Sequence, residues 1–310
     1  MKLSFVIPVF RNSGSIQPTY QKIIHLLAKL MLDYEFIFIN DGSDDNSINE
    51  LIEIYNKDKS VKVISFSRNF GQVPAVIAGL KDVTGNAAII MSADLQEPIE
   101  LIEDMIVKWK SGNEIVIGHR IDRDDSFIAN SASTIFYKLM KYVNPKMPKG
   151  GFDFMLIDQK ALVSINQIDE RNRFFQGDVL WLGFNTAFIP YTRLKRTIGK
   201  SQWTLSKKIK YFIDGLLNTS YVPIRLMSLL GFIFSLFGFL YALVIAYSRF
   251  INKTPFNGWA PIMILILIIG GLIMLMLGII GEYVWRTYDE TRKRPIYIIK
   301  DKFIYNEENN

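Results

Sequence analysis

The first two hundred residues alternate between two hydrophobic periods. Short runs rich in β-branched and aromatic residues, Leu3–Val9, Tyr34–Ile39, Val61–Phe66, Ala87–Met91 and Glu114–Ile117, predict strands. Between them Ile16–Leu32, Ser47–Tyr55, Gln72–Lys81 and Ile99–Trp109 repeat their apolar positions at helical spacing and predict helices. Strands alternating with helices in this way predict an α/β domain built on a mostly parallel sheet.

Beyond residue 200 the pattern changes. Leu205, Ile209, Phe212, Ile213, Leu216 and Leu217 share one helical face, with Lys207, Lys208, Asp214 and Asn218 turned away from it. That face suits either a membrane interface or the flank of the soluble domain, and the interface is favoured because a longer apolar stretch starts a few residues later. Leu226–Ala246 and Ala260–Ile280 hold no charged side chain, and at ~1.5 Å per residue each reaches across a hydrocarbon core of ~30 Å. A buried core helix of that length without a polar face is the rarer case. Two spans joined by Tyr247–Trp259 predict a transmembrane hairpin. The expected organisation is a domain over 1–202, an amphipathic region over 203–225, a hairpin over 226–280 and a tail over 281–310.

Composition supports a hybrid of this kind. Of the 310 residues 49% are apolar, high for a soluble chain, while 21% are charged, too many for one living wholly in lipid. Cysteine is absent and histidine occurs twice, as His25 and His119. Disulfide scaffolds, thiol nucleophiles and Cys-ligated metals are thereby excluded, and His-based metal clusters and triads are disfavoured. Lys207, Lys208, Lys210 and Arg225 precede the spans and Arg286, Arg292, Lys293 and Arg294 follow them, whereas the link carries only Arg249 and Lys253. The positive-inside rule then puts both flanks in the cytoplasm, with the chain multi-pass in the inner or plasma membrane. The apolar run after Met1 and Lys2 is too short for a signal peptide. The net charge of +6 is read as serving lipid headgroups and phosphorylated ligands rather than nucleic acid. Homo-oligomerisation is left open.

In open α/β sheets ligands bind beyond the carboxyl ends of the strands. Here those ends are unusually polar: Pro8 to Asn12, Asn40-Asp41-Gly42-Ser43, Ser67 to Gly71, Ser92-Ala93-Asp94-Leu95-Gln96 and Gly118-His119-Arg120. No G-x-G-x-x-G follows the first strand and no P-loop occurs, which argues against dinucleotide dehydrogenases and P-loop NTPases. Asp41 and Asp94 offer hard oxygens, and Gln96 adds a neutral one, a set suited to Mg2+ or Mn2+ holding a diphosphate. A sugar nucleotide fits that chemistry. A lone Asp after a strand is as often a turn or cap residue, so it is the several strand ends together that carry the reading.

These residues resemble the inverting family 2 glycosyltransferases with a GT-A fold, in the branch that charges polyprenyl phosphates and includes bactoprenol glucosyltransferases and dolichol-phosphate mannose synthases. The segments are Val6 to Phe10, Phe38 to Ser43, Arg68 to Gly71, Ala93 to Pro98, Gly151 to Phe154, and Arg196 with Gly199-Lys200-Ser201. The resemblance implies a Rossmann-like GT-A catalytic domain, followed by the interfacial helix and the hairpin. It implies a nucleotide-sugar donor, its sugar open among glucose, galactose, N-acetylglucosamine and mannose with UDP-glucose the best guess, a polyprenyl (undecaprenyl) phosphate acceptor, and a role in cell-envelope glycan modification. By the same resemblance Pro8 and Asp41 contact the nucleoside, Asp94 and Gln96 the metal and diphosphate with Ser92 and Ala93 in the same turn, and Arg196 and Lys200 the phosphates. Asp153 and Asp178 are candidates for sugar hydroxyls or base work. Arg120, Arg123, Arg171 and Arg173 are candidates for the lipid phosphate. Ser92 departs from the family's usual Asp and Gln202 from a frequent Lys. Gly177-Asp178 is similar to the place where other members keep a catalytic base. Rival readings are a synthase extending a glycan directly, which lacks the expected Q-x-x-R-W, and a non-catalytic sugar-nucleotide-binding subunit.

Overall fold

The predicted strand runs all enter one sheet. The computed structural model describes residues 1–121, 145–148, 151–194, 215, 222–247, 250–251 and 259–305. Its strands are β1 (Lys2–Val9), β2 (Asp33–Asn40), β3 (Val61–Phe66), β4 (Ala87–Ile90), β5 (Ile115–Arg120), β6 (Phe154–Asp158), β7 (Thr186–Tyr191) and β8 (Ile299–Phe303), in the order β7-β5-β6-β4-β1-β2-β3-β8. The pairs β1–β2, β2–β3, β1–β4 and β5–β7 are parallel, while β4–β6, β5–β6 and β3–β8 are antiparallel.

Period-two alternation sorts the side chains of the central strands into two cores. Leu3, Phe5, Ile7 and Val9 of β1 and Phe36 and Phe38 of β2 pack on one face, under α1 (Ile16–Leu30), α2 (Ser47–Lys57) and α4 (Leu101–Lys110). Val6, Ile37, Ile39 and Ile64 pack on the other, under α3 (Gln72–Lys81), α5 (Gln159–Asn166) and α6 (Phe175–Trp181). Strands covered on both faces need no polar side, which is why they read as continuous apolar runs. The fit of α3 on the sheet is close: a Cβ at Gly79 would lie 2.5 Å from Val6 Cγ1 and 2.6 Å from Ile39 Cδ1. α1 stops two residues short of the predicted Leu32 because Met31 turns left-handed (φ 52°) and its N–H closes onto Ala28 and Leu27.

At the amino ends of the strands a buried carboxylate ties three segments together. Glu35, 1% exposed, accepts from Ser4 Oγ at 2.6 Å and from both the amide and hydroxyl of Thr84 at 2.6 and 2.7 Å. Lys2 and Lys62 approach it at 3.1 and 2.9 Å. Burial alone would raise its pKa, but these donors outweigh burial and hold the group down at about 2.

The chain divides into two compact units, Met1–Phe212 with Pro295–Asn310, and Ile213–Arg294. The second holds α7 (Val222–Tyr247) and α8 (Trp259–Thr291). Their stretches Ile224–Tyr241 and Ile268–Thr291, with mean hydropathy 1.8 and 1.9 and nothing buried, are long and apolar enough to cross a membrane. α7 begins before the predicted Leu226 and takes in Arg225. The expected amphipathic region otherwise lies outside the described residues, apart from residue 215. The expected tail over 281–310 is corrected. Its first part continues α8 to Thr291, and Ile299–Phe303 returns to the sheet as β8. Phe303 and Tyr305 anchor it on Tyr55, with ring centroids 5.8 and 4.6 Å away. Lys300 and Lys302 within β8 are the charged side chains typical of an edge strand guarding its free side.

Candidate active site

Seven strands deliver their polar residues to one end of the sheet. β1 to β5 and β7 do so at their carboxyl ends, and the antiparallel β6 does so at its start, which is how Asp153 arrives beside Arg120. Pro8, half-buried near the end of β1, pairs in register with Ile39.

After β4 the chain makes a tight turn through Ser92 to Glu97, with Leu95 left-handed (φ 56°). Asp94, 5% exposed, accepts from Ser92 Oγ at 2.9 Å and from the Gln96 amide at 3.3 Å through the same oxygen. Ser92 Oγ also meets the buried carboxyl of Glu97 in a short hydrogen bond. The Ala93 carbonyl accepts from Thr19 Oγ1 at 3.2 Å, fastening the turn to α1. Burial, reinforced by Asp94, pushes the Glu97 carboxyl up against the pull of Ser92, Arg120 and Arg193. Ser92, at the position where the resemblance leads one to expect Asp, is thus a hydroxyl bridge between two carboxyls. A third carboxylate at that position would meet Glu97 directly.

Gln96 is engaged on both ends of its amide: Oε1 accepts from Arg193 Nη2 at 2.5 Å and Nε2 donates to the Leu194 carbonyl at 3.3 Å. Its oxygen, expected to face a metal, faces a guanidinium. Arg120 donates to Asp153 at 3.1 Å and reaches the Tyr191 hydroxyl at 3.5 Å. Burial lowers the Arg120 pKa, but Asp153 and Tyr191 more than reverse that, so the group stays cationic. Asp153 is braced from behind by Gln176, whose Nε2 donates to the Phe152 carbonyl at 2.5 Å and to Asp153 Oδ1 at 3.4 Å.

Asp41 does something the sequence did not suggest. Its two oxygens accept the amides of Phe70 and Gly71 at 2.7 and 2.9 Å, so it pins the loop after β3. Gly42 (φ +66°) backs onto that loop so closely that a Cβ would lie 2.3 Å from the Arg68 carbonyl carbon. Asp178 is paired elsewhere, with Arg173 Nε at 2.7 Å. Arg173 also donates to the carbonyls of Ile168 and Ile165, closing the end of α5, and is 7% exposed. It is therefore a buried structural cation, not an open phosphate ligand. Arg123, Arg196, Lys200 and Gln202 lie outside the described residues.

Sequence reading missed Glu97, Tyr191 and Arg193. The only signal for Arg193 was its place just after a strand, and Pro190 concealed that strand, since proline is tolerated in β7 because β7 is an edge.

Comparison with known proteins agrees with this fold. The mannosyl-3-phosphoglycerate synthase of Rubrobacter xylanophilus shares the fold, with TM-score 0.52 at 14% identity over 69% of this chain and 71% of that one. An uncharacterized glycosyltransferase of Bacillus subtilis, YkcC, is 36% identical over 98% of this chain and 94% of its own length. A prophage bactoprenol glucosyl transferase homolog of Escherichia coli K12 is 35% identical over 97% and 99%. Residues 4–165, which carry β1 to β6 and the Ser92–Glu97 turn, match the model of glycosyl transferase family 2. A strand-end turn with a buried aspartate, set in this fold and this match, makes the chain a glycosyltransferase of family 2.

Proposed function

We propose that this chain transfers a hexose from UDP-glucose to a polyprenyl phosphate at the cytoplasmic face of the membrane, with inversion at the anomeric carbon. The observation that carries the reading is the gathering of Asp94, Arg120 and Arg193 at the strand ends, in a chain whose likeness to a bactoprenol glucosyl transferase homolog runs on through two apolar helices.

The acceptor's own chemistry simplifies the task. A phosphate monoester with its second pKa near ~6 is largely dianionic at neutral pH, so its oxygen is a nucleophile without help from a strong base. That oxygen forms the new bond to the anomeric carbon as the bond to the nucleoside diphosphate breaks on the opposite side. The residues then have two tasks: to hold the reactants in line and to receive the negative charge of the leaving diphosphate. Arg193, reaching over Gln96, and Arg120, steered by Asp153, are placed for phosphate oxygens, and Arg196 and Lys200 would join them. Asp153, committed to Arg120 and Gln176, orients rather than abstracts. Asp178, held by Arg173, belongs to the scaffold.

The donor set suits a divalent cation of modest protein ligation. Among the described residues no three His, Asp or Glu side chains gather as a cage. Asp94 offers one hard carboxylate, as fits Mg2+ or Mn2+ that takes its remaining ligands from substrate phosphates and water. Such an ion, when bound, neutralises charge on the diphosphate. Asp94 would hold it, with Glu97 supporting through Ser92, and Gln96 would do so only by releasing Arg193.

Membranes containing the protein, given radiolabelled UDP-glucose, should pass label into a lipid that releases it in mild acid. Label in a mild-acid-stable glycan would favour direct glycan synthesis, and nucleotide binding without transfer would favour a non-catalytic subunit. Either outcome would replace the proposal. Labelling with other sugar nucleotides identifies the donor.

The topology follows from the charges flanking the helices, and β8 supports it. β8 lies in the same sheet as β3, so the chain on either side of the helix pair belongs to one sheet-bearing unit, which favours an even number of crossings. The chain has no cysteine, so single substitutions report cleanly. Asn257→Cys should react with an impermeant thiol reagent in intact cells, and Asn306→Cys should not. The reverse pattern would put the sheet outside the cell.

A further inference from the structure

The segment that follows α8 does more than complete a sheet edge. Six residues beyond Thr291, Tyr297 lays its ring flat on Phe66, with centroids 5.0 Å apart and planes 9° from parallel. The next residue, Ile298, accepts the Ser67 amide at 3.0 Å. From there β8 runs antiparallel along β3, with a slip in register between Ser65 and Phe66. The last residue of β3 and the first of the loop after it are therefore held by residues from the far end of the chain.

That loop is the one Asp41 grips. Phe66 meets Phe70 edge-on, at 5.7 Å and 90°. Phe70 carries the Arg68 guanidinium 4.1 Å above its ring and gives its own amide to Asp41. Gly71, next along, gives its amide to the other oxygen of Asp41 and opens α3. Gly42 presses on the same loop from β2 and leaves it little room to settle elsewhere. Tyr297, Phe66 and Phe70 form one line of ring contacts that ends at the two amides aligning the Asp41 carboxylate.

We propose that Tyr297 is a positioning residue for the nucleoside end of the donor site. Packed on Phe66, it fixes Phe70, and through the Phe70 and Gly71 amides it fixes the direction in which Asp41 presents its oxygens. The inference rests on the reading of Asp41 as part of a sugar-nucleotide site. Its physical basis is that aromatic pairs hold preferred stacked and edge-on geometries, so one ring in such a line constrains the next. A flattened ring on Phe66 is what the line needs, and the Tyr297 hydroxyl is dispensable.

The test uses the full-length enzyme in detergent or membranes, with UDP-glucose and undecaprenyl phosphate. Tyr297→Ala should raise the donor KM roughly tenfold, the size of one or two ring contacts, while acceptor KM changes little. In ligand-free protein the Phe70 and Gly71 amides should exchange with deuterium faster, and those of β1 should keep their protection. Tyr297→Phe should restore both readouts, and Tyr297→Leu, which keeps apolar volume without a ring, should fall between. An unchanged donor KM with unchanged exchange in Tyr297→Ala overturns the proposal. So does a loss of protection in β1, or an equal rise in donor and acceptor KM, because a merely weakened sheet would produce either. The exchange comparison needs no substrate, so it judges the clamp separately: failure of the wild type to use UDP-glucose would count against the donor assignment alone.

Discussion

Asp94→Asn is expected to lower kcat by at least about two to three orders of magnitude, the scale on which a single electrostatic group at a reacting centre acts, while the protein folds as before. The substitution is nearly isosteric. Asn keeps an oxygen for the Ser92 hydroxyl and the Gln96 amide, both of which now meet Asp94 Oδ1, so the turn should persist. What it removes is the negative charge at the end of β4 that would hold a cation against the donor diphosphate. Chelation of divalent metal should abolish turnover in the wild type, and added Mn2+ or Mg2+ should restore it there but not in the variant. The measurement is a rate assay alongside a thermal melt of the same preparation. Turnover by Asp94→Asn within a few-fold of wild type, or full activity in excess chelator, would remove the metal from the proposal.

The second large effect lies at the opposite end of the strands. Glu35→Gln should destabilise the sheet-bearing unit by about 3–5 kcal/mol, the usual result of taking one partner from a buried ionic network. Lys62 and Lys2 would then face a neutral amide at about 3 Å. The pH dependence has a definite sign. The folded-state pKa of Glu35 is about 2 against an ordinary value of 4.5, so folding favours its ionised form. Its stabilising contribution is complete above about 4.5 and is lost as pH falls toward 2. A shift of that size corresponds to on the order of 3 kcal/mol. Melting curves of wild type and Glu35→Gln should therefore be well separated at neutral pH and draw together as the solution is acidified through that window. A constant gap across the whole range would show that Glu35 stabilises through packing and neutral hydrogen bonds instead.

How much of this was legible in the sequence depended on where the information lay along the chain. The central strands were legible because burial on both faces gives them uninterrupted apolar runs, and their carboxyl ends pointed to Asp41, Ser92, Asp94 and Gln96 without any tertiary knowledge. The structure gathers Ser92, Asp94 and Gln96 in one turn, as neighbours in sequence must be. Asp153 was singled out by motif and Arg120 by its place at a strand end, but their pairing could not have been read, because it depends on β6 running antiparallel between β4 and β5. Five apolar-rich residues such as Phe154–Asp158 carry no sign of their direction. Gln96 and Asp41 were noticed for the right reason, their place after a strand, but no local rule said that their polar atoms would be taken by Arg193 and by two backbone amides. Asp178 was noticed because Gly-Asp looks catalytic, and only the tertiary fold reveals that Arg173, five residues earlier, neutralises it.

The position of β8 also fixes an order of events during synthesis. β3 is made early, yet the strand that covers its outer edge emerges only after both long apolar helices have been translated. Until then β3 presents open amides and carbonyls along one side, a template for pairing with the wrong chain. A ribosome that stalls within α8 would leave the catalytic unit with that edge bare and with Phe66 lacking the ring that covers it. Synthesis of the helix pair and completion of the sheet are thus steps of one assembly, and chains that stop before β8 are left in the form most prone to aggregate.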